Sequence, residues 1–163
     1  MIDFTKSKQY TLSIRLSTDG FSFSIYNPIH DDSLSIIEKE IDTSLSLTAN
    51  LKAVFHESDF LNHPYKRVNI MMASKRFTIA PLDLFEEGQA ELLFYHNHQK
   101  RENETVLYNI LRKNNVAVIF GIDKSAQTFL NEQYPEARFY SQSTPFIDYF
   151  SVKSRLGNSK KMY

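Results

Sequence analysis

Apolar and polar positions alternate near the start of the chain, with the two-residue period of a half-buried β-strand. The first alternating run covers residues 10–17, and a second one follows and ends at Asn27-Pro28. A third, more polar run extends from Leu34 to Ile41. Polar residues on a strand favour a position near a sheet edge, where they discourage aggregation. The pattern therefore predicts a three-stranded antiparallel meander whose third strand lies near an edge.

The turn between the first two predicted strands is assigned to Asp19-Gly20. Aspartate and glycine adopt the positive backbone angles that the two central residues of tight hairpin loops require. This loop would place Leu16 opposite Phe23 and Ile14 opposite Ile25. The two strands would then share one apolar face, which is the face expected to meet the core.

Apolar residues recur at helical spacing after the meander. Ser44 or Ser46 can cap a helix that runs to about Phe60, and Pro81 is predicted to begin a second helix. A third helix is predicted over 124–133. A meander followed by intermixed helices and strands predicts an α/β fold with a mixed sheet and helices packed on its faces. Short apolar runs between the helices indicate strands at 68–73, 77–80, 106–111, 116–121 and 138–141.

A length of 163 residues suits one ordinary domain. We expect this domain to span residues 1–152, and the locally basic end, 153–163, to be a flexible tail or the start of a linker. The chain has no cysteine, which excludes disulfides, thiolate zinc sites and cysteine nucleophiles. The first residues lack the features of a secretory signal, and no run of about 20 apolar residues occurs. A cytoplasmic chain without a membrane span is therefore expected.

Positive and negative charges are balanced along the chain. Lysine and arginine together number 19, as do aspartate and glutamate. The bases are scattered rather than concentrated in one segment, so the sequence does not indicate a phosphate-binding surface. We therefore expect no nucleic-acid partner.

Seven segments made mostly of apolar and turn-forming residues carry a resemblance, and they are 12–16, 19–23, 77–85, 106–108, 117–120, 134–138 and 144–145. Together they resemble a bacterial family of unknown function whose members look like actin-like ATPases. The family is related in shape to an actin-like component of type IV pilus assembly. The resemblance implies a ribonuclease H-like sheet and a second, similar half in longer members, so that this chain corresponds to the N-terminal half. A nucleotide cleft would then lie between the two halves.

In actin-like ATPases the first hairpin holds phosphate through backbone N–H groups, an aspartate and glycines. The resemblance implies that the matching residues here are Ser17, Thr18, Asp19 and Gly20. The same residues also make an ordinary hairpin turn, and this second interpretation is preferred. The sequence has no G-x-x-x-x-G-K-[ST] loop, and its four glycines stand alone.

Two kinds of metal site are suggested by residue types in the sequence, and a simpler interpretation is preferred for each. Two-metal nucleases of the ribonuclease H-like fold need a carboxylate in the first strand, and residues 12–16 contain none. Glu38, Glu40 and Asp42 alternate instead on the third strand, where a solvated face is the simpler interpretation. His96 and His98 have a spacing that suits zinc, but a surface loop is preferred because the sequence fixes no third ligand. No metal site and no catalytic residue are predicted.

Two functional hypotheses follow. The first is a non-catalytic actin-like domain that acts as an interaction or scaffold module, with a protein partner or self-association and no cofactor. The alternative is an ATP-binding actin-like protein whose cleft is completed by a second half or subunit. Under that alternative alone, ATP and magnesium would bind near Ser17 to Gly20.

Overall fold

The structure is a computed structural model that describes residues 2–28, 33–145 and 147. The chain divides into two compact units. Unit 1 comprises Met1–Ala73 and Ile122–Phe139, and unit 2 comprises Ser74–Gly121 and Tyr140–Tyr163. The predicted tail, 153–163, lies outside the described residues. The extent of the predicted domain, 1–152, stays a prediction.

Unit 1 opens with the predicted meander. Its strands are β1 (Thr11–Leu16), β2 (Gly20–Asn27) and β3 (Ser33–Glu40), and β2 pairs antiparallel with both β1 and β3. Strand β4 (Arg67–Met72) pairs with β1 in the parallel direction. Together with β8 (Arg138–Ser141) they form a mixed sheet in the order β3-β2-β1-β4-β8. The predicted meander, the mixed sheet and the edge position of β3 are therefore confirmed.

The predicted register of the first hairpin is wrong. Leu16 pairs with Phe21 and Ile14 pairs with Phe23, so the central loop residues are Thr18-Asp19 rather than Asp19-Gly20. The Ser17 side chain causes the difference, because its hydroxyl accepts hydrogen bonds from the N–H groups of the next turn and closes the loop one residue earlier. A slip of two residues between the paired strands keeps every side chain on its own face, so the predicted apolar face survives.

Two helices cover the apolar face of this sheet. Helix α1 (Leu47–Glu57) begins at Ser46, whose side chain accepts a hydrogen bond from the Ala49 N–H at 3.1 Å. This confirms one of the two predicted caps. Helix α3 (Lys124–Gln133) packs against α1 and is capped in the same way by Asp123. The core between sheet and helices is built from Leu12, Ile14, Leu16, Phe21, Phe23, Ile25, Leu51, Val54, Phe55, Ile70, Ala126 and Leu130.

Unit 2 contains a second, three-stranded sheet in the order β5-β7-β6. Its strands are β5 (Phe77–Pro81), β6 (Glu104–Leu111) and β7 (Val116–Asp123), and helix α2 (Ala90–Asn97) contacts β5 and β6. Only single 3-10 turns lie between β5 and α2.

The predicted helix start at Pro81 is wrong. Pro81 ends β5 and pairs with Val116, in a strand at the edge of its sheet. An edge strand accepts proline because one side of its backbone needs no donor. The next N–H group, that of Leu82, donates to the carbonyl of Asn115 at 2.8 Å. The chain is therefore held to β7 where a helix was expected to begin.

Candidate functional site

The residues matched to the phosphate loop of actin-like ATPases form a turn that is closed on itself. The Ser17 Oγ accepts hydrogen bonds from the N–H groups of Asp19 and Gly20, both at 3.2 Å. The Ser17 N–H and Oγ also donate to the Gly20 carbonyl, at 3.1 and 2.9 Å. Two N–H groups that could face an anion thus already have an acceptor inside the loop.

Gly20 is required by the close approach of the neighbouring strand. A Cβ atom at this position would lie 2.7 Å from the backbone carbonyl oxygen of Lys39, on β3. A contact this short would force the backbone of β3 to move. The glycine therefore serves the packing of β2 against β3, independently of any ligand.

The same turn borders a shallow cleft of about 360 Å³. The residues that line it include two basic ones, Arg15 and Lys39, and three acidic ones, Asp19, Glu38 and Glu40. Sequence reasoning did not include Arg15 or Lys39 in this site, since they lie on separate strands that only the sheet pairing brings together. Acidic residues therefore outnumber basic ones along the cleft.

The alternating carboxylates differ in their surroundings. Glu38 and Glu40 are exposed on β3, at the edge of the sheet. Asp42 lies beyond the strand and accepts hydrogen bonds from the Ser44 hydroxyl and the Ser44 N–H, which hold the pKa of Asp42 below its ordinary value. Within the described residues, no group of three or more histidine, cysteine, aspartate or glutamate side chains could hold a metal ion.

The two histidines with zinc-like spacing are placed at the end of α2. His96 is exposed in the last turn of the helix, and His98 follows the helix as its capping residue. The His98 ring stacks on Phe94 with a centroid distance of 4.6 Å, and its Nε2 lies 2.9 Å from the Phe77 carbonyl oxygen. A helix end has replaced the predicted loop, and His98 has a packing role there.

A charged cluster in unit 2 escaped sequence reasoning. Arg76 binds the Glu104 carboxylate through two nitrogens, Nε at 2.9 Å and Nη2 at 2.7 Å. The Tyr95 hydroxyl donates to the same carboxylate at 2.9 Å, and the guanidinium lies 5.3 Å from the centre of the Phe94 ring. The ion pair is nearly buried, with 15% of the Arg76 side chain and 7% of the Glu104 side chain exposed.

The cluster shifts the pKa of each of its members. Burial raises the pKa of Glu104, but hydrogen bonds from Arg76 and Tyr95 and the charge of Arg76 outweigh it, so the pKa is lowered. Burial, followed by the hydrogen bond to Glu104, raises the pKa of Tyr95. A Cβ atom on Gly121 would collide with the Glu104 carboxylate, so this glycine provides the room for the pair. Since the carboxylate is held by two donor residues, the cluster is structural.

Comparisons with known proteins identify a family for this chain and a solved structure of the same fold. A family model described as "Protein of unknown function (DUF3822)" matches residues 1–163. The chain belongs to the DUF3822 family. No curated protein matches it.

Among solved structures, the DUF3822 chain is similar to a Bacteroides thetaiotaomicron protein described as having an actin-like ATPase fold and unknown function. The two chains are 82% identical with a TM-score of 0.91. The match covers 97% of this chain and 62% of that one, so the chain spans less than two thirds of its relative. The predicted family resemblance and the actin-like α/β fold are confirmed. The coverage agrees with the prediction that this chain corresponds to one part of a longer protein.

The DUF3822 chain also presents apolar side chains on the outer face of β3. Leu34 is 57% exposed and Ile36 is 61% exposed, and Tyr26, opposite Leu34 on β2, is 37% exposed. Glu38 and Glu40 continue the same face of the strand. We call this row of four residues, Leu34, Ile36, Glu38 and Glu40, the β3 outer row.

No helix in the described part of the chain is long and apolar enough to cross a membrane.

Proposed function

We propose that this DUF3822 chain is a non-catalytic interaction domain with an actin-like fold, which binds another protein or a copy of itself. The observation that carries the proposal is the closed turn at Ser17 to Gly20. An actin-like domain that holds phosphate aims free backbone N–H groups of this turn at the anion. Here the N–H groups of Asp19 and Gly20 are held by Ser17 Oγ, and a ligand would have to break both bonds.

The charges of the cleft support the same proposal. The acidic residues Asp19, Glu38 and Glu40 outnumber the basic residues Arg15 and Lys39 in its lining. A nucleotide triphosphate brings several negative charges and would need compensation by cations or by a metal ion. The exposed apolar part of the β3 outer row supports a role in protein contact, because exposed apolar patches mark interaction sites.

A nucleotide titration tests the proposal. The DUF3822 chain and the longer Bacteroides thetaiotaomicron relative are each titrated with ATP and ADP in magnesium by calorimetry, and their melting temperatures are measured alongside. We expect no binding heat and no shift in melting temperature for either protein. Ligand at about 100 times its dissociation constant would stabilise a binding protein by about 2.7 kcal/mol, which is readily detected. Binding by both proteins, lost on Asp19→Asn, would contradict the proposal.

The alternative is ATP binding in a cleft completed by the rest of a longer protein. The cleft of about 360 Å³ beside the first hairpin favours it, because Arg15 and Lys39 both reach that cleft. Under this alternative, the titration stabilises the longer relative but leaves the shorter chain unchanged. Substitution of the relative's residue that matches Lys39 would then weaken its ATP binding, whereas substitution of the residue that matches Lys52, exposed on α1 here, would not.

We also propose that the protein is located in the cytoplasm. The chain has no cysteine, which suits a reducing compartment but does not require one. Fractionation of a bacterial cell that carries the tagged full-length gene product tests the assignment. Recovery in the cytosolic fraction is expected, and recovery in the periplasmic fraction would contradict it.

A further inference from the structure

We propose that β3 binds an extended segment of a partner protein by strand addition, with basic side chains opposite Glu38 and Glu40 and apolar ones opposite Ile36 and Leu34. The segment would run antiparallel to β3 and extend the sheet by one strand. This inference rests on the proposed function, for which it names the site and the chemistry of the partner.

The backbone of β3 offers an open edge. Among the strands that the structure describes, β3 is hydrogen-bonded to β2 alone. It is eight residues long, from Ser33 to Glu40. The unpaired side of an edge strand is a template for another strand, and main-chain hydrogen bonds then supply affinity while alternate side chains supply specificity.

The other sheet edges are less suited to this mode of binding. Strand β8 has four residues, and its last one, Ser141, is buried. Strand β5 ends in Pro81, which has no N–H group to donate. Strand β6 matches β3 in length, but each of its residues is half-buried, whereas the β3 outer row is exposed at every position.

The β3 outer row has a distinct division of chemistry. Leu34 and Ile36 are its apolar half, and Glu38 and Glu40 are its acidic half. Neither glutamate forms an ion pair with another residue in the described ranges. Opposite charges directly across two strands are stabilising and like charges are destabilising. An incoming strand that places lysine or arginine opposite both glutamates therefore matches this row.

A second copy of the chain does not match it. Side chains that lie opposite each other in an antiparallel pair point to the same side of the sheet. In a two-fold β3–β3 pairing, the outer row of one copy would thus meet the outer row of the other. The row contains no base, since Lys39 lies on the opposite face of the strand with Ile37. No such register neutralises Glu38 and Glu40.

Synthetic peptides of defined sequence test the inference. The probe is Lys-Thr-Lys-Thr-Ile-Thr-Val with a fluorescent label, whose first residue would face Glu40 and whose last would face Leu34. One control has the reversed sequence, and another carries glutamate in place of both lysines. Fluorescence anisotropy at low salt is expected to show binding of the probe, weaker binding of the reversed peptide and the weakest binding of the acidic one.

Charge reversal on the protein supplies the matched variants. Glu38→Lys/Glu40→Lys should weaken binding of the basic probe about tenfold, the scale of two cross-strand charge pairs, and should make the acidic peptide the better ligand. The control Glu57→Lys/Glu132→Lys carries the same change of charge at exposed helical positions and should leave both affinities unchanged. Circular dichroism establishes that both variants are folded.

Each outcome bears on one proposal. Equal affinity of the wild type and the β3 variant for the basic probe, or no binding at all, overturns the strand addition. A wild-type dimer in sedimentation that Ile36→Lys dissociates also overturns it, because a second copy would then occupy the edge. If the nucleotide titration is silent, these failures leave the interaction role standing. Binding of ATP by both proteins, lost on Asp19→Asn, contradicts the proposed function, and the peptide results then bear on the strand addition alone.

Discussion

At the scale of single residues, Glu104 joins three parts of unit 2 through its carboxylate: the turn before β5, helix α2 and strand β6. Its carboxylate accepts from Arg76 and Tyr95, and only 7% of the side chain is exposed. Removing the charge would leave the Arg76 guanidinium without its ion partner in a partly buried site. A broken buried pair destabilises a protein because the remaining charge has lost its compensation.

We therefore expect Glu104→Gln to lower the free energy of unfolding by about 2 kcal/mol at pH 7, the scale of hydrogen bonds to charged groups. The folded pKa of Glu104 lies below its ordinary value of 4.5, so the carboxylate contributes its full stabilisation above about pH 4.5. This contribution is lost as the pH falls through the lowered folded pKa. Urea unfolding at pH 7 and between about pH 3 and 5 measures the effect.

In that titration the difference between the wild type and Glu104→Gln should shrink as the pH falls. The control is Glu102→Gln, which changes an exposed glutamate two residues away. It should leave stability within about 0.5 kcal/mol of the wild type at every pH. A difference between wild type and Glu104→Gln that stays constant down to pH 3 would mean that the carboxylate is not held in its charged form.

Sequence reasoning could not find this cluster. Arg76 lies just before β5 and Glu104 begins β6, 28 residues later, and each is an ordinary surface residue type. Tyr95 comes from the helix between them. What brings the three together is the packing of α2 against the second sheet. A local pattern records periodicity and turns, but it does not record which polar residues meet across a sheet.

At the scale of secondary-structure elements, the approach of β2 to β3 depends on Gly20. We expect Gly20→Ala to destabilise the chain by about 1–3 kcal/mol, the usual cost of a forced backbone shift. The reason is the 2.7 Å distance between the added Cβ atom and the Lys39 carbonyl oxygen. Urea unfolding measures the loss, and amide hydrogen exchange should locate it in β3.

Gly88 provides a matched control for that substitution. A Cβ atom there has no heavy atom within 4 Å, so Gly88→Ala should be neutral or should stabilise by a few tenths of a kcal/mol. Equal stability of the two alanine variants would contradict the role given to Gly20. So would faster exchange confined to strands other than β2 and β3.

Most elements were predictable, and their failures have specific causes. The two-residue alternation fixed the faces of β1 and β2 because one face is buried, and a serine next to the helical pattern located the start of α1. The prediction of the hairpin register was wrong because turn statistics favour Asp19-Gly20 as the central residues of the loop. In the structure the Ser17 hydroxyl accepts hydrogen bonds from the N–H groups of both residues. The helix start predicted at Pro81 was wrong because proline suits the end of an edge strand as well as it suits the first turn of a helix.

At the scale of the whole molecule, the boundary proposed at residue 152 can be tested by truncation. The segment 153–163 is locally basic and terminal, so we expect its removal to change the melting temperature by no more than about 2 °C. Truncation after residue 137 removes β8, the strand beside β4, and should abolish cooperative unfolding. Thermal unfolding followed by circular dichroism compares the two. A large loss of stability in the first truncation would show that the domain extends beyond residue 152.

The order in which the chain is made gives the sheet of unit 1 a further property. In the finished sheet β4 lies between β1 and β8, yet Arg138 follows Met72 by 66 residues, and the first segment of unit 2, Ser74–Gly121, is encoded in between. A ribosome that adds about 5–20 residues per second needs roughly 3–13 s to reach β8. During that time the growing chain carries β4 with one side unpaired. Unpaired strand edges are prone to aggregate, so this is a period in which chaperones can protect the chain.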